Sequence, residues 1–293
     1  MILITGAGGK TGKAIVKAIS KVERICAFVH REEYVSVLQS LGAERVIVGD
    51  MYNASDVRSA LQGARAIYHI CPNMSPDEVV IGKLVIEEAN KAGVEHFVYH
   101  SVLHPQIEAM NHHWQKLRVE EMLFESGIPF TILQPAPYMQ NLLANWKSIV
   151  EDGVLRVPYS VDSTFSFVDL EDVAEAAKIA LTKANHKNAI YELAGTEPTS
   201  HVEVAEVFSR VLKQKVRAEK EEISPTGMLR EDWRLGARGL SKYALENLVR
   251  MFEYYDQWGL VGNPNTLKWL LQREPSSFPN FIERVRKENF AKH

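Results

Sequence analysis

Up to about residue 195 the chain alternates short apolar runs with longer stretches in which hydrophobic residues recur at helical spacing. The runs are "MILIT", "RICAFVH", "RVIVG", "AIYHIC", "HFVYHSV", "FTILQP" and "AIYELAG". Short runs rich in Ile, Val, Phe and Tyr, bounded by Gly, Pro or polar residues, predict strands, and the 3.6-residue periodicity between them predicts helices. Strands that are apolar on both faces belong in a parallel sheet with helices packed on each side. The pattern therefore predicts an α/β fold built on a doubly wound parallel sheet. No repeat with a period of roughly 20–50 residues and no low-complexity segment changes this reading.

After Gln134 the punctuation changes, with Pro135, Pro137, Gly153, Pro158 and Pro198 cutting the pattern into short pieces. This predicts a sheet domain over residues 1–134, which also receives segments from about 160–195, and a smaller, mainly helical lobe over 135–293. From about Ala218 the text becomes helical and aromatic, with Trp233, Tyr243, Phe252, Tyr254, Tyr255, Trp258 and Trp269. Aromatic residues at helical spacing either fill a core or line a pocket for a flat apolar molecule. Both readings stand at this stage.

Composition narrows the classes of partner. A chain of 293 residues with 46% hydrophobic content can bury a substantial core. A net charge of -3 and the lack of any long block of like charge give no footprint for nucleic acid or an anionic membrane. Small molecules or proteins are the expected partners. Cys26 and Cys71 sit in apolar strand-like runs and make no disulfide framework, which favours a reducing compartment. The strand pattern begins at once, leaving no room for a leader, and no apolar run nears the ~20 residues of a membrane span. The expected location is cytoplasmic.

Chemistry enters with "ILITGAGGKTGKAIVKAI", which reads as strand, glycine loop and helix. Gly6, Gly9 and Gly12 are spaced G-x-x-G-x-x-G. The first suits a tight turn, the second a close approach of backbone to a pyrophosphate, and the third close helix packing. The phosphates would lie on the helix N-terminus, where free N–H groups favour an anion, with Lys10 and Thr11 beside them. The second strand ends in His30 and Arg31 where an NAD site usually has an acid for the ribose hydroxyls. A guanidinium there can bond a 2′-phosphate for roughly 1.5–3 kcal/mol, favouring NADP over NAD. Beyond the third strand, Asp50 and Met51 are candidates for the adenine, or Asp50 caps the following helix. "YHICPNM" brings Cys71 and Pro72 to the rim where the second half of a dinucleotide should lie.

The stretch "NHHWQKLRVEE" places His112 and Lys116 on one helix face with Val119 and Leu123. An ammonium on an apolar face requires a polar partner. His96, His100, His104, His112 and His113 crowd the same region, but His96 and His100 in one strand would stand about 13 Å apart, too far to share an ion. No Cys pair or H-E-x-x-H supports a metal, and no G-x-S-x-G elbow supports Ser-based hydrolysis.

In order, "ITGAGGKTG", "GAERVIVGDMYNASDVRSALQGARAIYHI", "EEANKAGVEHFVYHSV", "KLRVEEMLFESGIPFTILQPAPYMQNLL", "FSFVDLEDVAEAA" and "YELAGTEPTSHVEVAEV" resemble the NmrA-like branch of the atypical short-chain dehydrogenases/reductases. The resemblance covers roughly residues 1–215. It implies a Rossmann domain with a smaller C-terminal α/β lobe on the substrate side, the substrate lying between them, and NADP (as NADPH) ahead of NAD. Lys116 matches the lysine that in the family's reductases bonds the nicotinamide ribose and assists proton transfer. Residues 135–141 match the segment at the nicotinamide end, beginning at Pro135, with Tyr138 and Asn141 facing the substrate and Phe167 joining them. Tyr138 is thereby also a candidate for the cofactor and for catalysis.

Two departures accompany the match. His112-x-x-x-Lys116 stands where short-chain dehydrogenases have Tyr-x-x-x-Lys, and Ser101 falls one place before the usual serine, which aligns with Val102. Members of this branch include NADPH-dependent reductases of quinones, dyes and plant phenolics, and proteins that bind NAD(P) without turnover. Two functions stay open. One is an NADPH-dependent oxidoreductase passing hydride to a small aromatic or quinone-like acceptor, with Lys116, His112 and Tyr138 as catalytic candidates. The other is a non-catalytic NAD(P)-binding redox sensor acting through protein partners.

Overall fold

The computed structural model describes residues 1–221 and 241–290. Each predicted run forms a strand: β1 Ile2–Ile4, β2 Ile25–Val29, β3 Arg45–Val48, β4 Ala66–His69, β5 His96–His100 and β6 Phe130–Pro135. Two short strands follow, β7 Val154–Val157 and β8 Thr164–Phe165, and then the seventh run as β9 Ala189–Leu193. The seven long runs make one sheet in the order β3-β2-β1-β4-β5-β6-β9, and neighbours from β3 to β6 pair in parallel. Every residue of β1, β2, β4 and β5 is buried, because helices cover both faces. At the edge, β3 has no fully buried residue.

The connecting helices are α1 Lys10–Ile19, α2 Val35–Ser40, α3 Ala54–Leu61, α4 Glu78–Lys91 and α5 Asn111–Glu125. Because β1 lies between β2 and β4, the direction of winding reverses there, and a crevice opens beyond the C-terminal ends of β1 and β4. The glycine loop leads from β1 into that crevice. Gly82 of α4 lets α5 approach closely, since a Cβ there would lie 2.7 Å from a methyl of Val119. This contact brings together the two helices that carry the charged residues of the site.

The chain divides into two compact units, Met1–Pro135 with Val173–Glu192, and Ala136–Asp172 with Leu193–His293. In the second unit, β8 pairs antiparallel with β10 Thr199–Ser200, and β7 pairs parallel with β11 Arg217–Lys220. The helical text expected from Ala218 thus begins as a strand: "RAEK" has no apolar stripe to support a helix and takes its conformation from pairing with β7. The helices here include α6 Trp146–Glu151, the start of α7 Leu170–Thr182, α8 His201–Leu212, and further helices at Lys242–Trp258, Pro264–Leu271 and Phe278–Phe290.

The aromatic stretch divides between core and surface. Phe252 and Tyr255 pack around the Tyr159 ring at 5.8 and 5.6 Å, whereas Trp258 and Trp269 are exposed. Trp233 lies outside the described residues. Two fully buried carboxylates meet arginines from the end of the chain, Asp172 with Arg273 at 2.7 Å and Asp169 with Arg284 at 2.5 Å. Cys26 and Cys71 are both free and buried. Among the described residues no helix is long and apolar enough to cross a membrane.

Candidate functional site

The loop after β1 turns at Gly6, whose φ of +59° suits glycine, and Gly12 packs α1 onto the loop, because a Cβ there would lie 2.5 Å from the Ala7 Cα. Gly9 differs. It caps α1 with an ordinary φ of -75°, and an added Cβ would meet only the Gly6 oxygen at 3.5 Å. Nothing among the described residues requires glycine at that position, which leaves space for an external group to approach the backbone. Gly9 offers α1 no side-chain cap, and no acid occupies the first turn, so the free N–H groups there suit an anion. Lys10 is exposed and Thr11 half-buried at the start of the helix. The residues present therefore fit a dinucleotide pyrophosphate.

At the end of β2, Tyr34 lies against Gly8, where a Cβ would come 2.5 Å from its ring. Arg31 and Lys13 hold their cations 4.8 and 5.2 Å from the centre of that ring. The Arg31 guanidinium also donates to the Tyr34 hydroxyl and pairs with Glu33 at 3.1 Å, both in solvent. His30 is exposed, its ring 6.1 Å from Tyr34. Lys13 and Tyr34 were not singled out in the sequence. The signal available was a second lysine one residue beyond Gly12.

Beyond β3, the Asp50 carboxylate accepts from the Tyr52 N–H at 2.9 Å, forming a local turn. The cap of α3 is Asn53, which accepts from the Ser55 N–H at 2.9 Å, so Asp50 does not cap that helix. Met51 is half-buried against the core. Beyond β4, Pro72 is exposed and Cys71 is buried, and burial pushes its thiol well above the usual range. A protonated thiol there is a poor nucleophile.

The centre of the site lies where α4 and α5 meet β5. Lys116 Nζ donates to Glu78 Oε1 at 3.0 Å and to the His100 carbonyl at 3.3 Å, and sits 5.3 Å from the centre of the Tyr99 ring. The same Glu78 oxygen accepts from the Tyr99 hydroxyl at 2.7 Å. Glu78 is the polar partner that the sequence left unnamed. His100 Nδ1 is hydrogen-bonded to the Tyr68 hydroxyl at 2.7 Å, and His69 Nδ1 to Thr5 at 2.8 Å. Burial pushes His100 down to about 3 and His69 to about 4, so both imidazoles are neutral at pH 7.

His112 stands one turn before Lys116 at the start of α5. Burial, aided by His113 and Lys116, pushes it down to about 3. Its neutral ring can form a hydrogen bond, but it carries no acidic proton of imidazolium strength at pH 7. Its Nδ1 has no partner among the described residues. Ser101, expected at the cofactor, instead donates its hydroxyl to the buried carboxylate of Glu120, which also accepts from Gln134 at 3.0 Å. That pairing ties α5 to the residue that follows β5 and, through Gln134, to β6. Among the described residues no group of three or more His, Cys, Asp or Glu is placed to hold a metal.

Pro135 ends β6 and is buried. In the second unit, Tyr138 is half-buried and bridges Val168, while Asn141 is exposed. Gln140 fixes this turn by donating to Asp169 at 2.7 Å and accepting from the Leu170 N–H at 3.1 Å. Phe167, expected at the substrate, is 3% exposed and packs against Phe278 at 5.1 Å and His201 at 5.5 Å. Its ring belongs to the aromatic core, since "FSF" carries Phe165 and Phe167 into the same cluster.

A profile of the NmrA-like family matches residues 1–289. The NAD(P)H azoreductase of Xenophilus azovorans is 30% identical over 220 residues, covering 74% of this chain and 76% of the relative. Quinone oxidoreductase 2 of Escherichia coli (strain K12) is 29% identical over 197 residues, covering 67% and 68%. The crystal structure of an NADPH-dependent quinone oxidoreductase from Escherichia coli superposes with a TM-score of 0.80 at 25% identity, covering 97% of this chain and 99% of the other. The chain belongs to the NmrA-like family.

Proposed function

We propose that this protein is an NAD(P)H-dependent reductase that prefers NADPH and reduces a small quinone-like or extended aromatic acceptor. The reading rests on one observation: a lysine ammonium, 15% exposed and already paired with a buried carboxylate, stands beyond the sheet in a chain whose glycine loop leaves Gly9 open for a ligand. The named activities of the azoreductase and quinone oxidoreductase relatives support it.

NADPH supplies a hydride to the acceptor when bound. The protein's own residues bind, orient and neutralise. The N-terminus of α1 receives the pyrophosphate, Arg31 and Lys13 provide cations for a 2′-phosphate, and Lys116 bonds the ribose hydroxyls while its charge stabilises negative charge developing on the acceptor. His112 stays neutral at pH 7 and offers a hydrogen bond rather than an acid proton. Acceptors whose reduced oxygen is delocalised need little protonation as hydride arrives, so quinones suit this site better than simple aldehydes or ketones.

The test is NADPH oxidation followed at 340 nm with a simple benzoquinone. Lys116→Ala is expected to lower kcat about a hundredfold or more while NADPH still binds within about tenfold of wild type. Tight NADPH binding with no turnover across quinones, dyes and aldehydes would refute the reductase reading in favour of a cofactor-binding sensor.

A further inference from the structure

The pairing of Lys116 with Glu78 is hard to explain as a device for stability. Both groups are largely withdrawn from water, at 15% and 3% exposure, and burying an ion pair commonly costs as much as the attraction returns. An apolar pair would hold α4 to α5 at least as well, and Gly82 against Val119 already does so a turn further on. Glu78 is also over-determined. One of its oxygens accepts from both Tyr99 and Lys116.

An ammonium has three protons in fixed tetrahedral directions. In Lys116 one goes to Glu78 and one to the His100 carbonyl. We propose that Glu78 is the positioning residue of the site, holding the Lys116 ammonium charged and turned so that its third proton is presented to the ribose of the dinucleotide. The inference rests on the assignment of Lys116 as a cofactor ligand and goes further, naming the side chain through which that lysine is aimed. Tyr99 anchors Glu78 from β5, so the chain of contact runs from sheet to carboxylate to ammonium.

Other groups act on the same charge. His112 and His113 on α5, His69 and His100 on the sheet, and the Cys71 thiol all sense the Lys116 charge but are neutral at pH 7. On α5, Glu120 is a second nearby acid, but it is held by Ser101 and Gln134 and does not bond the ammonium. Glu78 is the carboxylate in direct contact.

The experiment measures NADPH affinity by fluorescence titration between pH 6.5 and 9.5, with no acceptor present. Glu78→Gln keeps the shape but removes the charge. It is expected to bind NADPH about fivefold more weakly at pH 8, no more than the loss of Lys116 itself would cost, and the pH above which that part of the affinity is lost is expected to move down. Glu78→Asp should recover part of the affinity and return the pH limit toward wild type. Tyr99→Phe keeps the charge and frees the carboxylate, so affinity should fall about threefold with the pH limit in place.

A merely structural Glu78 would lower the melting temperature and leave the pH limit where it was. Wild-type affinity and pH limit in Glu78→Gln would overturn the proposal, as would unchanged affinity in Tyr99→Phe should Glu78→Gln fail to fold. NADPH binding without turnover in the wild type would remove the reductase reading and leave this inference standing. No NADPH binding by the wild type would remove both.

Discussion

Arg31 and Lys13 bracket the Tyr34 ring, two cations beside the glycine loop with one exposed acid, Glu33, competing for Arg31. Losing a guanidinium bond to a 2′-phosphate costs roughly 1.5–3 kcal/mol, so Arg31→Ala is expected to weaken NADPH about ten- to a hundredfold. NADH, which lacks that phosphate, should change by no more than about twofold, as competitive titrations of both coenzymes would show; equal losses would refute the contact. Arg31 is a candidate visible in the sequence because its place after β2 is a local offset from the glycine loop. Periodicity places Lys116 on an apolar helix face that demands a polar partner, and the family resemblance makes it a candidate cofactor ligand. Glu78 could not be read there: an acid opening a helix looks like an ordinary partner of the helix dipole, and its bond to Lys116 spans 38 positions. Phe167 lies in the aromatic core, and an aromatic residue in a family segment does not reveal whether its ring faces a core or a ligand.

The central strands β1, β2, β4 and β5 were legible because burial on both faces writes itself as unbroken apolar text, whereas "RAEK" becomes a strand only through its partner β7. The start of α1 offers a direct comparison within one element. At Gly12 a Cβ would collide with the Ala7 backbone, so Gly12→Ala is expected to cost about 1–3 kcal/mol and lower the melting temperature. At Gly9 the backbone is ordinary and the space open, so Gly9→Ala should melt within a degree or two of wild type yet lose most NADPH affinity. Thermal melts and titrations of the two variants separate packing from ligand approach. Equal binding by Gly9→Ala and wild type would show that the space serves no pyrophosphate.

For the molecule as a whole, the buried histidines set an acid limit. Burial holds His69 and His201 near 4 and His100 near 3, below the ordinary value of about 6.5 that each regains on unfolding. The unfolded chain therefore binds more protons between these values, so stability is complete above pH 6.5 and declines as pH falls toward 4. At pH 5.5 each histidine accounts for about 1 kcal/mol of that loss. Differential scanning calorimetry should find a level melting temperature from pH 7 to 8.5 and a steep fall below pH 6; an equal value at pH 5.5 and 7.5 would contradict this. His201→Phe should flatten the fall, because both ring nitrogens of His201 are buried without partners among the described residues. The two arginine clamps bear on how the chain is made. Asp169, which fixes the Tyr138 turn through Gln140, waits 115 positions for Arg284, and Asp172 waits 101 for Arg273. At about 5–20 residues per second, a ribosome needs on the order of ten seconds to supply those arginines. Through that interval both carboxylates lack their counter-ions, so the turn bearing Tyr138 and Asn141 is among the last parts of the protein to mature.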